Sequence, residues 1–77
     1  MTKTQLKEYL ERSGFNPQTY SLEPGLHADQ YVLEENYVVW SVYYSERGIR
    51  LGEKIFNNEE EACEYFFEIL SKDPTTL

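Results

Sequence analysis

The sequence predicts a two-layer α+β domain, an antiparallel four-stranded meander with an N-terminal and a C-terminal helix, in the order α-β-β-β-β-α. Three observations carry this. Apolar residues recur at helical spacing near both ends of the chain and not between them. The middle is divided by Gly, Pro and Asn into short runs rich in Tyr, Val and Ile. Every link between those runs is short enough for antiparallel neighbours, and two amphipathic helices on one sheet face complete the layers. With 77 residues and no repeat, linker or low-complexity run, residues 1–77 form a single domain.

The first helix runs from about Thr2 to Ser13. Thr2 and Gln5 fit a capping box, Leu6, Tyr9 and Leu10 repeat at helical spacing, and Gly14 supplies a left-handed stop with Phe15 packing back. So narrow a stripe gives a marginal helix alone, so it must lie on the sheet. Thr19 to Leu22 is the first strand, and Glu23-Pro24-Gly25-Leu26 places Pro and Gly as a type II turn does. Gln30 to Glu34 follows, with a hairpin turn at Glu35-Asn36, since Asn tolerates positive φ. In the long strand Tyr37 to Ser45, Val38, Trp40, Val42 and Tyr44 point one way. These form the core layer under the helices. Tyr37, Val39 and Tyr43 then line the exposed sheet face, where Arg50 and Lys54 lay their stems over the row. Glu46-Arg47-Gly48 turns the chain into Ile49 to Phe56, with Ile49, Leu51 and Ile55 on one face and a bulge at Gly52. Asn57-Asn58 caps the last helix, Glu59 to Glu61 fill its first turn, and Pro74 ends any continuation beyond Ser71. Ala62, Phe66, Ile69 and Leu70 centre its apolar stripe, flanked by Cys63 and Tyr65, and Glu60, Glu61, Glu64 and Glu68 fill the opposite arc.

Seven Lys plus Arg against fourteen Asp plus Glu give a net charge of −7. Phosphate affinity needs clustered Lys and Arg, so nucleic acid and anionic membranes are excluded as partners and a basic protein is favoured. Seven Tyr, four Phe and one Trp supply the bulk that aliphatics lack at this length, and the skew toward Tyr suits an interface. The single Cys63 permits no internal disulfide and reads as a small buried hydrophobe. No apolar run approaches the ~18 residues that span a bilayer and no leader pattern follows Met1, which points to the cytoplasm.

Motifs for catalysis, cofactors or metals are absent. His27 stands alone in a turn-rich loop, Cys63 sits at a buried helical position, and Glu34 and Glu35 point to opposite faces as strand neighbours. The chain therefore reads as a non-enzymatic binding protein without a cofactor. Its contact residues are Tyr37 and Tyr43 with Glu34, Glu35 and the turn carboxylate Glu46, and Glu60, Glu64 and Glu68 form a second acidic patch. Like charges at i, i+4 cost roughly 0.2–0.5 kcal/mol a pair, and only Lys72 stands to relieve Glu68. Such an arc reads either as a solvated face or as a docking surface for a basic partner, and the tolerated repulsion leans toward the second without deciding between them.

The runs Gln30-Tyr-Val-Leu-Glu-Glu-Asn-Tyr37, Trp40-Ser-Val-Tyr-Tyr-Ser-Glu-Arg-Gly48, Phe56 and Glu60-Glu-Ala-Cys-Glu-Tyr-Phe67 resemble small immunity proteins encoded beside polymorphic toxins in Bacillus-type bacteria. The resemblance covers about residues 18 to 72, and its motifs are mostly fold-forming. It implies a cytosolic α+β protein that neutralises one cognate toxin domain by stoichiometric occlusion. Many such toxins are nucleases with basic substrate sites, which an acidic partner would cover. The alternative is a small cytosolic adaptor or regulatory protein that homodimerises through its open sheet face.

Overall fold

The computed structural model describes residues 1–23 and 29–77. The predicted Pro24-Gly25 turn and the His27 loop lie outside the described residues. The elements are α1 (Lys3–Arg12), β1 (Tyr20–Ser21), β2 (Gln30–Asn36), β3 (Val39–Glu46), β4 (Ile49–Phe56) and α2 (Glu59–Lys72), followed by a 3₁₀ turn (Pro74–Thr76). This is the predicted α+β order.

Both helices form where their ends say they should. Thr2 Oγ1 accepts the Gln5 N–H at 3.2 Å and the Gln5 side chain accepts the Thr2 N–H at 2.9 Å, which satisfies two orphan donors of α1. Gly14, at φ +80°, closes α1 in a Schellman motif: its N–H reaches Glu11 O, and the Phe15 N–H reaches Leu10 O at 3.2 Å. That turn folds Phe15 into the core. Asn58 caps α2 by accepting the Glu61 N–H at 2.8 Å. Leu6, Leu10, Phe15 and Leu22 pack with Leu33, Trp40 and Val42 of the sheet and with Ala62, Cys63, Phe66 and Leu70 of α2. Ile69, expected at the centre of the α2 stripe, lies at its half-buried margin.

The strands lie in the order β1-β2-β3-β4. β2, β3 and β4 pair antiparallel, as expected. The first pair corrects the antiparallel expectation: β1 runs parallel to β2, with Tyr20 opposite Tyr31 and Ser21 opposite Val32. A parallel link normally needs a long crossover because it must travel back along the strand. Here β1 has only two residues, so the return is roughly 7 Å.

The β2–β3 turn is also displaced from its expected place. It falls at Tyr37-Val38, and the ladder runs on to Glu35↔Trp40 and Asn36↔Val39. A turn at Glu35-Asn36 would leave the second half of β3 without a partner on that side. The longer register instead matches Gln30 to Ser45. Val38, expected in the core, is therefore exposed at the turn.

Gly52, at φ +61°, makes the expected bulge, and the register shifts between Val42 and Tyr44. One extra residue flips the side chains that follow it. Leu51 opposes Tyr44 on the helix side, but Ile55 opposes Ser41 on the other, so Ile55 does not share a face with Ile49 and Leu51. Lys54 moves to the helix side, 5.0 Å over the Tyr65 ring, rather than lying beside Arg50.

Candidate functional site

The sheet face turned away from the helices is closed at its centre. Tyr43 is 3% exposed and Glu34 7% exposed, which corrects the expectation of an open Tyr-lined face. The Arg50 guanidinium lies 4.3 Å over the Tyr43 ring and donates to both Glu34 carboxylate oxygens at 3.1 and 3.3 Å. Tyr43 Oη donates to Glu34 Oε1 at 3.3 Å, and Arg50 donates also to Glu53 at 2.9 Å. Burial, and then the Glu34 charge, push the Tyr43 hydroxyl above its ordinary value. The cluster consumes its own polar groups. Tyr43 and Glu34 are internal residues of this face, fastened from above by Arg50.

Tyr37 is placed in the opposite way. It is 97% exposed at the β2–β3 turn, with Val38 83% exposed beside it. Its φ of +57° lies in the left-handed region, which for a bulky side chain costs on the order of 1–3 kcal/mol. Glu35 and Asn36 are exposed next to it. The cross-strand row Glu35–Trp40–Phe56 ends where Asn58 begins α2, so the acidic first turn of α2 lies at the same end of the sheet as the Tyr37-Val38 turn.

Glu60, Glu61, Glu64 and Glu68 stand exposed on the outer face of α2. Among the described residues only Glu68 of these four forms an ion pair, with Lys72 at 2.8 Å, and that hydrogen bond holds its carboxyl below the ordinary value. Glu59 is half-buried, and its carboxylate accepts the Lys3 N–H at 2.8 Å. Glu46 is exposed at the far end of β3, about 25 Å of strand from the Tyr37-Val38 turn. The structure thus brings Glu35, Tyr37 and Glu60 to one end and Glu64 and Glu68 along one flank. It separates Glu46, and it encloses Glu34 and Tyr43.

Val38 is the surface residue that sequence reasoning missed. Neither residue carries turn chemistry, and the one signal was that a turn centred on Tyr37-Val38 pairs nearly the whole of both strands, seven residues against eight.

Burial, and then the Glu59 charge, push the Cys63 thiol up to about 11, so it stays protonated at neutral pH. Among the described residues no three His, Cys, Asp or Glu side chains are grouped to hold a metal ion, and no helix is long and apolar enough to cross a membrane. Compared with protein-family models, curated proteins and solved structures, the chain matches none.

Proposed function

We propose that this protein is an immunity protein that acts in the cytoplasm by binding one cognate toxin domain and blocking it stoichiometrically. The observation that carries the reading is the outer face of α2. Glu60, Glu61 and Glu64 point to solvent without an ion pair among the described residues, on a chain of net charge −7. An uncompensated anionic stripe raises encounter rates with a basic surface and pairs with its Lys and Arg on docking. A nuclease's substrate site has that chemistry, and covering it would exclude the phosphate backbone.

Supporting it over a homodimer through the sheet face is the closed centre of that face, where Arg50 is engaged by Glu34 and Tyr43. Co-expression with the product of the adjacent gene tests the proposal. A complex of equal stoichiometry, and survival of cells carrying both genes, is expected. Absence of binding together with absence of protection rejects it.

A further inference from the structure

We infer, resting on the immunity reading above, that the β2–β3 turn is the element that enters the toxin, with Tyr37 and Val38 filling an apolar slot while Glu35, Glu60 and Glu61 meet cations on its rim. The first support is an accounting of the tyrosines. Tyr9, Tyr20, Tyr31, Tyr44 and Tyr65 each make a ring contact inside the fold, and Tyr43 holds Arg50 and Glu34. Of the seven, Tyr37 alone has no ring, cation or hydrogen-bond partner among the described residues. It is also the one held at a positive φ. A large ring in a strained turn returns nothing to the fold, whereas Gly or Asn would sit there at little cost.

The second support is placement. The turn projects from the end of the sheet with Val38 also bare, so its shape suits a concave partner rather than a flat one. Its surroundings fix the charge of that partner. Glu35 flanks the turn, and the register carries the exposed Glu60 and Glu61 to the same end. A rigid aromatic anchor surrounded by carboxylates fits an apolar slot lined at its mouth by Lys and Arg.

The test uses the full chain with the protein encoded by the adjacent gene as probe, and reads affinity and melting temperature for each variant. Tyr37→Asn is expected to weaken binding at least about 30-fold while leaving the melting temperature unchanged or raised, because Asn accepts the left-handed backbone. Tyr37→Phe keeps the ring and is expected to stay within about threefold of wild type, and Val38→Ser to lose about tenfold. A Tyr37→Asn protein that binds as tightly as wild type, or loses affinity only in step with lost thermal stability, overturns insertion of the turn and leaves the immunity reading standing. A wild-type chain that binds nothing overturns that reading, and the insertion with it.

Discussion

Glu34 is nearly sealed, with 9% of its side chain exposed, while its partner Arg50 keeps 45% of its side chain in solvent. The cation thus remains half-hydrated, and it removes the cost of an enclosed carboxylate. Truncating it is the asymmetric change. Arg50→Ala is expected to destabilise the domain by about 1–3 kcal/mol, because Glu34 and Tyr43 are left without their cover. Adding Glu34→Gln to that variant should restore part of the loss, and urea unfolding of the four proteins in a double-mutant cycle measures the coupling. Two additive losses would show that the pair is incidental. Alternation along β3 made the row of Tyr43 readable from sequence, and the nearness of Arg50 was readable too. Coverage was not. A period of two assigns a face but says nothing of how deeply one cation seals it, which depends on which β4 residues the bulge delivers.

Gly52 decides that delivery at the scale of the element. A Cβ built there meets no atom within 4 Å, so its φ of +61° is the sole obstacle to a side chain. Gly52→Ala is therefore expected to cost about 1 kcal/mol. For a domain of this size that lowers the melting temperature by about 4–8 °C, with β4 otherwise intact. A loss several times larger would mean the bulge itself is undone and Lys54 and Ile55 have changed faces. Both helices were legible to within a residue or so, since Thr2, Gln5, Gly14 and Asn58 are side chains whose chemistry marks an end. The turn at Tyr37-Val38 was not legible from local chemistry, because neither residue favours a turn. There the matching of whole ladders overrides local preference. The parallel sense of β1 was hidden for a similar reason: two residues carry too little pattern to state a direction.

The 3₁₀ turn after α2 is tied back to the link that follows α1 and to β2. The Asn16 N–H donates to Thr76 O at 2.6 Å, and the buried Thr76 hydroxyl is bonded to Leu70 O and Asp73 O at 2.7 Å each. Tyr31 Oη donates to Asp73 at 2.7 Å. Burial, then the Asp73 hydrogen bond, push the Tyr31 hydroxyl up to about 12, from an ordinary 10.0. A raised phenol adds stability that is complete below its unfolded value and lost as pH climbs from there through about 12. Bonds from Thr75, and then from Tyr31, hold Asp73 below the ordinary carboxylate value. Its contribution is therefore present at neutral pH and lost as pH falls through that lowered value. Urea midpoints followed across pH should show Tyr31→Phe flattening the alkaline limb and Asp73→Asn the acid limb. Unchanged limbs would mean this tie does not contribute to stability.

The Glu59 carboxylate on the Lys3 N–H joins residues 56 apart, and it carries a consequence for how the molecule is made. A ten-residue helix is marginal in water until something covers its apolar side. The groups that cover α1 and finish its first turn include Glu59 and the apolar side of α2, which follow it in the chain only after all the strands. As the chain is made, α1 must wait, unsettled, until the strands and α2 have followed it before it can lock.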